Sequence, residues 1–188
     1  MKKQYCVQYS DASLINDFVL PKGRFESIAV EIRDMETDFL FMLIKNISSF
    51  PVFFVLESVF FEHIEMSISE KNISPYKFSS DGYIIKIDSA DILEWVCTNT
   101  VELVLNGLEV FIFFGEDISE VDLVPTRNWD SPTEFKNLDF DKVETFIDVH
   151  EVGLTIFTKN KTYNSPKKVT PYISADYSLD LENSDTEE

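Results

Sequence analysis

Alternating apolar and polar residues predict β-strands at 4–9 and 25–33, and short, mostly apolar segments predict further strands at 51–56, 83–87, 108–114 and 154–159. In 25–33, for example, Ile28, Val30 and Ile32 share one face while Glu31 and Arg33 take the other. The segment 39–44 is apolar on all sides, which fits either a central strand or a buried helix. Its phenylalanines and the apolar run at 51–56 favour an antiparallel pair of strands, with a turn over 45–50.

A helical period predicts three helices, at 11–20, 89–106 and from Asp139 or Asp141 to about Val152. The segment 89–106 has the strongest signals, because Asp88 and Ser89 precede it as caps and Gly107 follows as a stop. Together with the strands on either side it has the pattern of a βαβ crossover. These signals therefore predict a helix that begins after Asp88 and ends before Gly107.

These elements predict an α+β fold: one domain over 1–163, with a mixed, largely antiparallel sheet and two or three helices. A three-layer α/β fold is the alternative, but no helices separate the strands between residues 25 and 61. Residues 164–188 contain prolines and end in acidic residues, which predicts a flexible tail. The basic N-terminus lacks the apolar run of a signal peptide, and 39–61 is interrupted too often to span a membrane.

Acidic residues dominate the charge of the chain, which has 34 Asp and Glu against 16 Lys and Arg and a net charge of −18. This balance argues against nucleic-acid and membrane partners, because both are polyanionic. The 44% apolar content is too high for a disordered chain. Residues 109–151 alone have twelve acidic and three basic side chains. We therefore expect a basic protein as the partner, such as a toxin or nuclease.

Three groups of residues are the candidates for the partner-binding surface. In the predicted helix after Asp139, four acids recur at helical spacing along one side; in the helix at 89–106, two acids flank a tryptophan, which is a common interface anchor. The loop after residue 115 adds four more acids. The candidates are Asp141, Glu144, Asp148, Glu151, Asp91, Trp95, Glu102, Glu116, Asp117, Glu120 and Asp122.

Few residues point to catalysis, and no cofactor is expected. The five glycines are too widely spaced for a phosphate loop, and Cys6 and Cys97 form no metal or redox motif. Glu134-Phe-Lys136 has the acid–x–lysine spacing of metal-dependent nucleases, with Asp117, Glu120 or Asp130 as partner acid. It lies in a turn-like stretch, whereas that motif belongs on a strand. His150 is expected on the apolar face of the last helix, as a core residue rather than a catalyst.

Three functions fit these observations. The first is a non-catalytic, cytoplasmic inhibitor or immunity-type protein that occludes a basic partner through an acidic face. The second is a structural or assembly subunit of a phage or host complex, and a homodimer fits either of these. The third is a metal-dependent hydrolase or nuclease that uses scattered carboxylates.

Overall fold

The computed structural model describes residues 3–9, 25–32, 35–57, 71, 73–104, 110–128, 131–150 and 153–180. Within them the strands are β1 (Lys3–Tyr9), β2 (Glu26–Ile32), β3 (Val52–Glu57), β4 (Tyr76–Lys77), β5 (Gly82–Ile87), β6 (Val110–Phe114), β7 (Thr126–Asn128), β8 (Ser131–Glu134), β9 (Thr145–His150), β10 (Gly153–Thr158) and β11 (Tyr177–Leu179). The α-helices are α1 (Thr37–Ile47), α2 (Ala90–Val104) and α3 (Pro166–Val169). Short 3-10 helices occupy Glu120–Leu123 and Thr170–Tyr172.

Nine of the described strands form one sheet, in the order β11-β1-β2-β10-β9-β6-β3-β5-β4. All neighbours pair antiparallel except β1 and β11, which are parallel. Strands β7 and β8 form a separate hairpin. The fold is therefore a single-domain α+β fold with a mixed, mostly antiparallel sheet, as the sequence pattern predicts.

The unit β5-α2-β6 is a crossover that skips one strand. Both β5 and β6 pair antiparallel with β3, which lies between them, so they run parallel to each other. The predicted helix and its flanking strands are confirmed. A crossover needs a long connection because its strands run in the same direction, and α2 supplies it.

The two faces of the sheet carry different cores. Helices α1 and α2 and the segment after α3 cover one face, which is mainly aliphatic, with Leu40, Leu43 and Ile44 of α1 fully buried. The loop and hairpin between β6 and β9 cover the other face, where Phe53, Phe113, Phe146 and Phe157 stand side by side on adjacent strands. Much of the aromatic content of the chain lies in this second core.

The preference for a strand at 39–44 is wrong, since these residues lie in α1. The buried positions Phe39, Leu40, Leu43, Ile44 and Ile47 follow a helical stripe, which becomes visible only when the segment is extended to residue 47. The expected turn over 45–50 therefore starts later, after Ile47. The other half of the expected pair is confirmed as β3.

The prediction of a helix from Asp139 or Asp141 to Val152 is also wrong. Residues 139–144 form turns and 145–150 form β9, a central strand whose two neighbours are β10 and β6. Apolar residues occupy both faces of a central strand, and that pattern matched a helical period here. Gly153, taken as the helix stop, begins β10 with a φ of 146°.

The expected flexible tail from residue 164 is wrong over the part that the structure describes. Val169 and Ile173 join the aliphatic core, and β11 extends the sheet beside β1. Residues 181–188 lie outside the described residues, as does the helix predicted at 11–20. Residues 164–180 contain few apolar side chains, so their composition resembles that of a flexible tail. The apolar residues that are present, such as Val169 and Ile173, nevertheless lie at positions that the fold buries.

Candidate functional site

One end of the sheet gathers residues that are distant in sequence. The pairing places Ile87, Val52, Phe114 and Thr145 in one row across β5, β3, β6 and β9. The chain segments that leave or enter these strands therefore meet at the same edge. They include 115–117 after β6 and 139–144 before β9, both rich in acids.

A pocket of about 300 Å³ opens at this edge. We call it the acidic pocket, and it is lined by Ile47, Ser48, Ser49, Phe114, Gly115, Glu116, Asp117, Asp141, Lys142 and Glu144. Four of its ten lining residues are acidic, and all four are exposed. The sheet thus brings together four of the predicted partner-binding residues. Two of them, Glu116 and Asp117, follow β6, and the other two, Asp141 and Glu144, precede β9.

Local turns place these carboxylates. The side chain of Asp139 accepts a hydrogen bond from the Asp141 backbone N–H at 3.0 Å, and the Lys142 N–H donates to the Asp139 carbonyl at 3.0 Å. The Glu144 N–H then donates to the Phe114 carbonyl at 3.0 Å, which ties this turn to the end of β6. The close approach requires glycine at 115, since a Cβ there would lie 2.6 Å from the Lys142 carbonyl oxygen.

Lys159 supports the same turn from the adjacent strand end. Its ammonium donates hydrogen bonds to the Phe140 carbonyl and to the Asp141 carbonyl, and lies 4.8 Å from the centre of the Phe25 ring. Strand β10 ends at Thr158, so Lys159 follows directly where the sheet edge turns. This lysine therefore holds the backbone that carries Asp141.

The C-terminal end of α1 adds negative potential to the acidic pocket. The helix ends at Ile47, and the Ser48 N–H donates to the Ile44 carbonyl at 2.9 Å. The last carbonyls of a helix carry a partial negative charge that favours nearby cations. Four carboxylates and a helix C-terminus, opposed by Lys142 on the wall, make the pocket suited to a cationic group.

Glu144 is held by hydrogen bonds from the segment after β10. The Asn160 side-chain amide donates to Glu144 Oε1 at 2.7 Å, and the Tyr163 hydroxyl donates to the same oxygen at 3.3 Å. Burial above all raises the pKa of the Tyr163 hydroxyl, although the hydrogen bond with Thr145 opposes this. No sequence motif connects 159–163 with Glu144, so the contacts of Asn160, Tyr163 and Lys159 at this site could not be predicted from the sequence.

Two other acids of the loop have separate positions. Asp122 accepts hydrogen bonds from the Ser119 hydroxyl and from its backbone N–H, the latter at 2.9 Å, at the start of the 3-10 helix. These bonds lower the pKa of Asp122, with a smaller contribution from the charge of Lys142. Glu120 is half-buried in the same 3-10 helix. Neither lines the acidic pocket, and Asp122 serves as a local cap.

Asp148 does not share an acidic face with Asp141 and Glu144, which corrects the predicted helical stripe. It lies within β9, only 6% exposed, between Thr155 of β10 and Phe111 of β6. Glu151 lies outside the described residues. Asp141 and Glu144 do not form an exposed helical stripe with Asp148. They line the acidic pocket together with Glu116 and Asp117.

Three candidate partner-binding residues, Asp91, Trp95 and Glu102, lie on α2, and the structure describes the side chains of the first two. Asp91 is exposed in the first turn of α2, which follows the C-terminal end of β5 at the same edge of the sheet as the acidic pocket. Trp95 is half-buried and packs against the aliphatic core. The side chain of Glu102 lies outside the described residues. Trp95 therefore belongs at least in part to the packing of α2.

The residues considered for catalysis are scattered within the described structure. Glu134 and Lys136 form an ion pair at 3.2 Å, at the end of β8 and in the following turn. Cys6 and Cys97 are buried and form no disulfide, and His150 is the last residue of β9. Among the described residues, no group of three or more His, Cys, Asp or Glu is arranged to hold a metal ion. Asp130 lies outside them.

Comparisons with protein-family models, with curated proteins and with solved structures gave no match. Among the described residues, the α-helices are all too short or too polar to cross a membrane.

Proposed function

We propose that this protein is a non-catalytic acidic binding domain, of the inhibitor or immunity type, that occludes a basic partner protein. The observation that supports this best is the acidic pocket, where Glu116, Asp117, Asp141 and Glu144 surround one opening. A cavity of about 300 Å³ is large enough for a lysine or arginine side chain. Asp91 is a further exposed acid, in the first turn of the helix that follows β5 at the same sheet edge.

Charge complementarity would act mainly on the association rate. A net charge of −18 attracts a basic protein over long distances, and the attraction weakens as salt screens it. The acidic pocket would then receive one cationic side chain of the partner in a charge-assisted hydrogen bond. Such binding needs no bond-breaking chemistry from this chain.

The proposal can be tested with a deca-arginine peptide as the probe and fluorescence anisotropy as the readout. We expect binding whose association rate falls at least tenfold between about 50 and 500 mM NaCl. Replacing Glu116, Asp117 and Asp141 with lysine should reduce the affinity at least tenfold, because the pocket becomes cationic. This substitution spares Asp148, whose burial would make a charge reversal destabilising.

A matched control separates the pocket from the overall charge. Lysine at Asp81, Glu94 and Asp176 changes the net charge equally at exposed sites that do not line the pocket. Equal loss of affinity in the two triple variants would refute a specific role of the pocket. Absence of binding at about 50 mM NaCl would refute the proposed function itself.

A further inference from the structure

A chain of hydroxyl groups leads from the interior to the acidic pocket. Thr158 Oγ1 lies 2.7 Å from Thr145 Oγ1, which lies 2.9 Å from the Tyr163 hydroxyl, and Tyr163 then donates to Glu144 Oε1. The two threonines are completely buried and Tyr163 is 2% exposed. Buried polar groups of this kind are stable only when each is satisfied.

One direction of donation satisfies the whole chain. The Asn160 backbone N–H donates to Thr158 Oγ1 at 3.0 Å, so the Thr158 hydroxyl is free to donate to Thr145. Thr145 then donates to Tyr163, and Tyr163 donates to Glu144. Each hydroxyl donates once and accepts once, and the last acceptor is a carboxylate. Hydrogen bonds aligned in this way polarise one another toward the charged end.

The carboxylate at the end of the chain is engaged on one oxygen. Tyr163 and the Asn160 amide both donate to Oε1 of Glu144. Among the described residues, no donor forms a hydrogen bond with Oε2 of this side chain, and Glu144 as a whole is exposed and lines the acidic pocket. A carboxylate fixed through one oxygen loses less rotamer freedom when its other oxygen accepts a bond.

We propose that Asn160 and Tyr163 are positioning residues that hold Glu144 so that its Oε2 receives the cationic group of the partner. This inference rests on the proposed function. It explains why threonine and tyrosine hydroxyls occupy the start of β9, the end of β10 and the segment after β10, where apolar residues of similar size would fill the same space. It also distinguishes Glu144 from the other acids of the pocket as the preorganised acceptor.

The test measures binding of the deca-arginine peptide by stopped flow, with Asn160→Ala and Glu144→Gln alone and combined. We expect Asn160→Ala to raise the dissociation rate about fivefold and to leave the association rate unchanged, since no charge is lost. In the Glu144→Gln background the effect of Asn160→Ala should disappear, because Asn160 acts through that carboxylate. Tyr163→Phe should behave like Asn160→Ala, and Asn137→Ala at an exposed turn is the control.

A measurement on the free protein separates this proposal from the function on which it rests. The Asn160 side-chain amide signal in a ¹H–¹⁵N spectrum should shift in Glu144→Gln, because its acceptor loses its charge. Equal effects of Asn160→Ala with and without the Glu144 carboxylate, or an unshifted amide signal, would overturn the positioning role. Failure of the wild-type protein to bind the peptide, with the amide shift present, would instead overturn the proposed function.

Discussion

At the scale of single residues, the fold depends on a glycine at a position that has no room for a side chain. Gly153 has a φ of 146°, and a Cβ there would lie 2.1 Å from the Val30 carbonyl oxygen. The residue starts β10 beside both β9 and β2, so three central strands depend on it. Glycine is the residue that combines this backbone conformation with so close an approach.

We predict that Gly153→Ala lowers the free energy of unfolding by about 3 kcal/mol, since backbone strain and a steric clash add. Urea denaturation followed by circular dichroism gives the value. Glu94→Ala, at an exposed position of α2, should change stability by less than about 0.5 kcal/mol. A Gly153→Ala variant as stable as this control would show that the strand pairing does not require glycine.

At the scale of elements, the aromatic core packs the four strands β3, β6, β9 and β10 against the loop and hairpin between β6 and β9. Phe146 stacks on Phe157 with ring centres 4.4 Å apart and on Phe113 at 5.6 Å, and Phe25 meets it edge-on at 5.5 Å. Aromatic pairs in these geometries add to the free energy gained by burial. Because Glu144 directly precedes Thr145 and Phe146, the first two residues of β9, the packing of Phe146 also fixes the pocket wall.

We predict that Phe146→Ala lowers the free energy of unfolding by about 4 kcal/mol, as expected for an aromatic side chain removed from a packed core. Phe146→Leu should lose about 1.5 kcal/mol because most of the volume remains. Val121→Ala is the control, since Val121 is 54% exposed. Similar losses for Phe146→Ala and Val121→Ala, measured by urea denaturation, would contradict this account of the core.

The elements also differ in how well a sequence can predict them. Strand β2 and helix α2 are confirmed because their patterns allow one solution: alternation in β2, and caps with a broad apolar face in α2. For 39–47 and 145–150 the apolar residues fit both the two-residue period of a strand and the 3.6-residue period of a helix. A central strand such as β9 is apolar on two faces only because β10, β6 and both layers cover it. That information is in the tertiary contacts and not in the segment.

At the scale of the whole molecule, alkaline pH should act through buried acidic groups that are neutral in the fold. Burial raises the pKa of the Cys97 thiol, and raises that of Tyr177 to about 12 with help from the carboxylates of Asp38 and Glu36. In the unfolded chain these groups lose their protons near pH 8.5 and 10. Above those values the unfolded state binds fewer protons than the folded state, so stability falls as pH rises.

We predict that the free energy of unfolding declines from about pH 8.5 and declines more steeply between about pH 10 and 12. Urea denaturation at each pH measures it. Cys97→Ala should reduce the first decline and Tyr177→Phe should reduce the second, whereas Tyr9→Phe, at a side chain 55% exposed, serves as the control. Stability that stays constant from pH 8 to 10 in the wild-type protein would contradict the burial of an un-ionised thiol.

The sequence by itself determined the α+β class, most of the strands, helix α2 and the concentration of acids in 109–151. Those features follow from local periods, caps and counts, each contained in a short stretch of chain. Only the tertiary structure decided that 39–47 is a helix and 145–150 a strand, and that 116–117 meets 141–144. The pocket is formed by strand register, which pairs Phe114 with both Val52 and Thr145. Register depends on contacts between distant segments, and for this reason no local pattern could predict which carboxylates would share a cavity.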